Sequence, residues 1–512
     1  MITIRTTRFW PALEACTRSR LPAADWRAAA AFGLPFALYL LTLAPTVYNL
    51  DSVELTTAAA TGGLVRATGY PLYLLVGRLW SWLPLGDVGY RMNLFSAFNG
   101  ALTIFLADRL LRRLNVGPWA ALGALGLLAT ATHFWALSLV AEVYTLHTAL
   151  MAGLLLSLMH WSGHPTPTRL GLVGLMLGLG LSHHAATVLL IPGCAFYVIA
   201  VARRRAFTPR ALLAALGGVL LGSSLYLYLA WRSTMLPVFN YVGSYDAHGM
   251  FHPIDLRRPE GMWWLISGRA FAGQMLGYRG EALWREIVAY ARLLWRAFFA
   301  VGLGPGLLGL IVLMRRDWKL GGLLLAMFAF NAAFYIDYRV VDKDTMFLPT
   351  YLIWAVWLGV GYQWLIAWTQ GAGLGRSWGL WLMSGVVAGA VLAATLWNWR
   401  LVNLSNDWSA RERGEAILRQ VEPDALVFGW WDTVPVVEYL QLVEGQRPDV
   451  KAVNRFLVPY EALTEWVRRE AGRRPVYLDN PPSELLDTLT AEAAGPVYRL
   501  RPRATPQGAV KE

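Results

Sequence analysis

Asp51 and Glu54 stand three residues apart, just past the first apolar run of the chain. That spacing puts both carboxylates on one face of a helix. An ionisable pair at the end of a hydrophobic span is costly unless it is used, paired or hydrated. The same spacing fits a helix cap, with Asp51 as the N-cap and Glu54 at the third helical position. The residues alone leave both readings open. Glu142, beside Tyr144, is a further carboxylate at the end of an apolar run, and His133, His147, His183 and His184 fall near the same face. Carboxylates with several histidines could hold a divalent cation. No ligand spacing here is distinctive, however, and two adjacent histidines cannot both face one metal from a regular helix. No metal or other cofactor is therefore assigned, with a divalent cation kept as the alternative to hydrogen bonding with an acceptor or a headgroup.

The elements that must position these groups are membrane spans. The chain has 512 residues, of which 56% are hydrophobic and only 15% charged, where soluble domains carry roughly 25% charged residues. Its 25 tryptophans suit a membrane–water boundary, because the indole is apolar with one polar N–H. The formal charge of +12 comes from arginines placed beside apolar runs, which points to lipid headgroups and topology signals and away from nucleic acid. Cys16 and Cys194 lie in a basic tail and an apolar run, so a disulfide between them is not expected. After a basic tail over 1–27, apolar runs fall at 28–45, 92–110, 117–136, 143–160, 170–184, 185–202, 211–230, 289–313, 320–336, 345–368 and 379–398. That gives about eleven helical spans. Arg109, Arg112 and Arg113 follow the second run, Arg169 the fourth, Arg203 to Arg205 the sixth, Arg315, Arg316 and Lys319 the eighth, and Arg376 the tenth. With that count every basic cluster lies on the side of the N-terminus, which predicts a cytoplasmic N-terminus in the plasma membrane.

The opposite side receives the long polar segments 45–90 and 232–288 and the tail 399–512. The division predicted is thus a basic tail 1–27, a transmembrane domain 28–398 and an extracytoplasmic domain 399–512. The tail runs ALVFGW, TVPVVEYLQLVEG, DVKAVN, EALTEWVRREAG, PVYLD, SELLDTLTAEAAG and VYRLR, an alternation expected of a small α/β unit. Asp432 follows its first strand, where open α/β sheets place ligands. The adjacent Trp430 and Trp431 could stack on sugar rings or dock the tail onto the bilayer.

Six separated segments carry a resemblance. The opening LAPTVYNLDSVEL, GYPLYLLVGRL and LGDVGYRMNLFSA is followed by AEVYTLH, GLSHH, YLYLAWRS, VDKDTMFLP and WWDTVPVVEYLQLVEGQRPDVKAVN. In this order they resemble a multi-pass family long catalogued as a domain of unknown function, whose eukaryotic member is a protein O-mannosyltransferase. The family belongs with the C-type glycosyltransferases (GT-C), membrane enzymes that use polyprenyl-phosphate sugars. The resemblance covers most of the chain. It departs at Arg66-Ala67-Thr68-Gly69-Tyr70-Pro71, where family members carry His-Pro-Pro-Gly-Tyr-Pro.

The resemblance implies an inverting transfer of mannose or another hexose from a polyprenyl-phosphate donor to a protein hydroxyl or an envelope glycan or lipid. It makes Asp51 the catalytic base, with Glu54 beside it, because a hydroxyl is a poor nucleophile until a carboxylate takes its proton. The leaving phosphate needs a cation. Arg66, Arg91, Arg232, Arg339 and Lys343 lie on the expected side. Arg232 and Lys343, flanking spans at headgroup depth, are the first choice and Arg91 the next, although a snorkelling cation would sit there too. Tyr70, Glu142, Tyr144, His183, Trp431 and Asp432 are the candidates for sugar and acceptor. The tail is expected to choose the acceptor and to take no part in the chemistry. A transporter or flippase would instead show a repeat and broken helices at mid-membrane, and a non-catalytic envelope scaffold would need no acidic pair.

Overall fold

In the computed structural model, residues 25–66, 68–371 and 376–503 are described. The basic tail before Asp25 lies outside the described residues. Among the described residues, six helices are long and apolar enough to cross a membrane: Val88–Arg113, Ala185–Phe207, Pro209–Ser233, Trp318–Ile336, Lys343–Gln370 and Leu380–Val402. They coincide with the runs at 92–110, 185–202, 211–230, 320–336, 345–368 and 379–398. The runs at 28–45 and 117–136 form the shorter apolar helices Trp26–Thr42 and Pro118–Thr130, and those at 143–160 and 170–184 form Tyr144–Gly163 and Pro167–His183.

The run 289–313 differs from expectation. It breaks between Gly280–Ala297 and Leu303–Arg316, where Phe299 and Ala300 take positive φ angles of 49° and 61°. Left-handed backbone cannot continue a right-handed helix. The first piece is amphipathic: Tyr290, Leu294 and Ala297 are buried, while Trp284 and Trp295 are exposed. Such a helix suits an interface rather than a crossing.

The chain gathers its basic clusters at one end of the bundle. Asp25 accepts from Arg109 and Arg112, Arg27 pairs with Asp108 at 2.5 Å, and Arg316 donates to the Leu114 carbonyl. At the other end Leu404 N–H bonds the Thr42 carbonyl, and Asn398 bonds the Thr130 carbonyl. The acidic segments lie at this second end.

Two sheets sit there. A hairpin pairs β1 (Gly243–Tyr245) with β2 (Phe251–Pro253). The tail forms a five-stranded sheet from β3 (Leu426–Gly429), β4 (Lys451–Asn454), β5 (Val476–Leu478), β6 (Leu489–Ala494) and β7 (Val497–Pro502), in the order β4-β3-β5-β7-β6. β3, β4 and β5 are parallel, and β7 and β6 are antiparallel additions. The segment SELLDTLTAEAAG splits into a short helix, Ser483–Leu486, and β6. The tail packs on the acidic segment, since Val47 and Val53 share a core with Ile417, Val436 and Val437.

Candidate functional site

The helix Asp51–Thr61 builds the first wall. Its N-cap is Leu50, at φ 58°, and no side chain caps it. Asp51 is the first helical residue, so the capping reading does not hold. Ser52 fixes the start of the helix by accepting from Ala141 N–H at 3.1 Å. A second wall comes from the turn before Pro71–Ser81. Gly69 (φ 82°) and Tyr70 (φ 42°) are both left-handed, and a Cβ at Gly69 would lie 2.6 Å from Leu229. Glycine is required there twice over, by its φ and by its neighbour. Tyr70 and Leu50 are non-glycine residues in sparsely populated backbone on either side of the acidic pair, the strain that clusters at functional sites.

These walls enclose a cavity of about 370 Å³, within the range of small-molecule sites. Asp51, Glu54, Glu142 and Asp342 line it, with Arg66 as the single Lys or Arg among the described lining residues. Tyr70, Tyr144 and His184 add polar groups, and Val188, Phe271, Met275, Phe334 and Tyr335 supply apolar wall. Burial pushes Glu54 up to about 8, opposed by Arg66 and reinforced by Asp51. The Asp51 carboxyl opens onto the cavity and is raised by the enclosing walls, with Arg66 opposing and Asp342 reinforcing. Glu142 is pushed well up by burial and by Asp51. Glu54 and Asp51 are thus raised together by burial, with Arg66 opposing the rise at both.

Arg66 is held by aromatic rings. Its Cζ lies 3.6 Å from the centroid of Trp431, 3.8 Å from Phe456 and 5.2 Å from Phe271. Its Nη1 is buried with no hydrogen-bond partner. A buried cationic N–H without an acceptor is costly, and it invites an anionic ligand.

The structure therefore brings Asp51, Glu54, Tyr70, Glu142 and Tyr144 together and sets the other candidates apart. Lys343 pairs with Glu286 at 2.6 Å and donates to the Ile336 carbonyl, so its charge is taken; Asp342, its neighbour, faces the cavity instead. Arg232 bonds the Gly62 carbonyl at 2.5 Å and the Thr61 carbonyl at 3.4 Å, serving the end of the Asp51–Thr61 helix. Arg91 donates to the carbonyls of Ser81, Leu85 and Gly86 and ties a loop. His183 bonds the Val143 carbonyl at 2.8 Å behind the wall, and its neighbour His184 takes the cavity position. Trp431 is buried with its ring against Arg66, which leaves it neither a free sugar platform nor a membrane anchor. Asp432 pairs with Arg413 at 3.1 Å, away from the cavity. Among the described residues no three His, Cys, Asp or Glu side chains converge as a metal set. Asp342 and Phe271 are lining residues that the spacing of apolar runs does not single out, while His184, one of the four histidines noted near the acidic face, lines the cavity as well.

Residues 51–206 match the family model of the protein O-mannosyl-transferase TMEM260 N-terminal domain. Over 143 residues the chain is 34% identical to the mouse (Mus musculus) protein O-mannosyl-transferase TMEM260, a stretch that is 27% of this chain and 20% of that protein. The matched region thus spans about a fifth of the curated relative. Among solved structures, ArnT from Cupriavidus metallidurans bound to undecaprenyl phosphate superposes with a TM-score of 0.58 at 13% identity, covering 93% of this chain and 98% of that one. The Archaeoglobus fulgidus oligosaccharyltransferase, tethered to an acceptor peptide containing the NVT sequon, gives 0.51 at 12% identity over 89% and 69%. The chain is thus a helical membrane protein with the GT-C fold and a small C-terminal α/β unit, and the segment that carries Asp51, Glu54, Arg66 and Glu142 is the one similar to the TMEM260 N-terminal domain.

Proposed function

We propose that the protein is a membrane glycosyltransferase that moves a sugar, mannose or another hexose, from a polyprenyl-phosphate donor to a hydroxyl of a protein or an envelope glycan or lipid. The observation that carries this reading is the meeting of Asp51 and Arg66 in one cavity at the end of the apolar bundle. The names of the similar proteins support it: an O-mannosyl-transferase, and a structure of the same fold bound to undecaprenyl phosphate.

In this reading Asp51 accepts the proton of the acceptor hydroxyl as its oxygen attacks the anomeric carbon. The new C–O bond forms on the face opposite the phosphate, and the old C–O bond breaks with its electron pair leaving on polyprenyl phosphate. Configuration inverts. Arg66 offers its unpartnered N–H to the developing charge on the phosphate, in a setting where a fixed cation is worth more than in water. Glu54, pushed up by burial to about 8, stays largely protonated near neutral pH, and Glu142 is raised in the same direction by burial and by Asp51. They hydrogen-bond the sugar without repelling the donor. The acidic end faces outward from the cytoplasm, as the basic clusters at the opposite end support.

The test is to incubate purified protein with several polyprenyl-phosphate sugars and follow release of polyprenyl phosphate. Release that needs Asp51 is expected, and no release from any donor by active, folded protein would overturn the reading. For orientation, a cysteine at Ser405 should react with a membrane-impermeant thiol reagent added outside intact cells. Labelling only after lysis would reverse the assignment.

A further inference from the structure

We propose that the C-terminal α/β unit takes part in the chemistry, with Trp431 and Phe456 as positioning residues that hold the Arg66 guanidinium in the cavity. The inference rests on the proposed role of Arg66 and adds to it a dependence on a distant part of the chain.

Trp431 and Phe456 each follow a strand of the tail sheet. β3 and β4 are adjacent and parallel, with Gly429 opposite Asn454 in register. Trp431 and Phe456 each stand two residues beyond that last pair, so the sheet delivers both rings to one place. This is the carboxyl edge of parallel strands, where α/β sheets present their functional groups. The two ring planes meet at 89°, with centroids 5.0 Å apart. Arg66 Cζ sits 3.6 and 3.8 Å from those centroids, in the right-angled corner they form. The corner is braced from behind: Asn454 Oδ1 accepts from Phe456 N–H at 3.0 Å, and Asp479 pairs with Arg455 at 2.9 Å. Trp431 also packs edge-on against Tyr241.

Arg66 itself lies in a loop beyond the Leu64–Asn240 bridge and belongs to no helix or strand. Its backbone does not fix the side chain, so the rings must. A guanidinium stacked on an aromatic face keeps its N–H edges free, which an ammonium in the same corner would not reproduce. The tail's hold on Arg66 revises the expectation that the tail only chooses the acceptor.

The experiment compares Arg66→Ala, Trp431→Leu, Phe456→Leu and Trp431→Phe, with Trp431→Leu also made in the Arg66→Ala background. Kinetics with a polyprenyl-phosphate sugar, binding of polyprenyl phosphate alone and thermal melting are measured on the full-length protein. Trp431→Leu and Phe456→Leu should each lower kcat by about tenfold, the size expected for a desolvated cation–π contact. They should move the acid limb of the pH–rate profile upward, as should Arg66→Ala, because Arg66 favours ionised Asp51. Trp431→Phe, which keeps an aromatic face, should restore most of the rate. In the Arg66→Ala background, Trp431→Leu should cost less than about twofold. Full additivity in that background, an unmoved acid limb, or equal loss in Trp431→Phe and Trp431→Leu would each sink the inference. If Arg66→Ala alone leaves turnover and polyprenyl-phosphate binding intact, the proposed role of Arg66 falls as well, a result distinct from failure of the corner alone.

Discussion

The two ends of the bundle handle charge in opposite ways. At the basic end each acid has partners: Asp108, fully buried, pairs with Arg27, Arg109 and Arg112, and Asp25 takes Arg109 and Arg112. Arg27 Nη2 and Arg109 Nε lack hydrogen-bond partners as well, but each of those guanidinium groups already has a carboxylate in contact, and the arrangement reads as structural pinning. At the other end four carboxylates line one cavity with one arginine, whose Nη1 has no partner. A fold of marginal stability keeps such an imbalance at a cost, and the physical return is a site. The difference separates ionisable residues that hold the bundle together from those left open to a cavity, a distinction that residue type alone does not draw.

The comparison breaks first at Asp51. Asp51→Asn keeps the shape and removes the base, so transfer should fall by about 10²- to 10⁴-fold while expression, melting temperature and donor binding hold. A variant with most of its activity left would make Asp51 structural. At the basic end the opposite split is expected. Asp108→Asn leaves Arg27 buried beside a neutral amide, and removing one member of a buried pair costs about 3–5 kcal/mol. Stability measured by melting should fall, while kcat of the protein that remains folded should change little. Unchanged melting with a large drop in kcat would invert the contrast.

A pH series sharpens it. Glu54 is raised by burial to about 8, and Glu438, buried against Tyr241 to which it hydrogen-bonds, is also raised to about 8. Each binds a proton in the folded chain that it has lost in the unfolded chain between about pH 4.5 and 8. Stability therefore falls as pH rises across that window, by up to about 1.4 kcal/mol per pH unit for each group. Glu54→Gln and Glu438→Gln should flatten the slope and raise melting at pH 8. A slope unchanged in both variants would show that these groups do not set it.

How much of this the sequence discloses depends on how local the cause is. Apolar length is local, and most spans are legible from it. The break after Ala297 is not, because hydropathy records apolar content and says nothing of helical continuity; the arginines at 285, 292 and 296 are its available signal. Asp51, Glu54, Tyr70, Glu142 and Tyr144 are legible because a carboxylate or a strained turn at a span end needs an explanation wherever the chain folds. Which cation is free is not legible. Lys343 and Arg66 look alike in sequence until Glu286 claims one and two rings from the tail shape a corner around the other. His183 and His184 are neighbours whose fates diverge because the helix ends between them.

Arg232 gives the smallest expected effect and the finest test of the contrast, because it is a cation at the acidic end that the structure assigns to holding. It bonds the last carbonyls of the Asp51–Thr61 helix, groups that a helix leaves without internal partners. Arg232→Ala should cost about 1–2 kcal/mol of stability, the worth of a charged hydrogen bond to backbone. Turnover should stay within about threefold, because the Asp51 end of that helix is fixed separately. Ala141 N–H bonds Ser52 there, and Val53 sits in the core shared with the tail. A cation that gripped the donor phosphate would behave otherwise: its removal would raise KM for the donor or cut kcat by about 100-fold or more, with melting unmoved. Measuring both quantities on one variant decides between the two, and a kinetic loss without a thermal one would return Arg232 to the site.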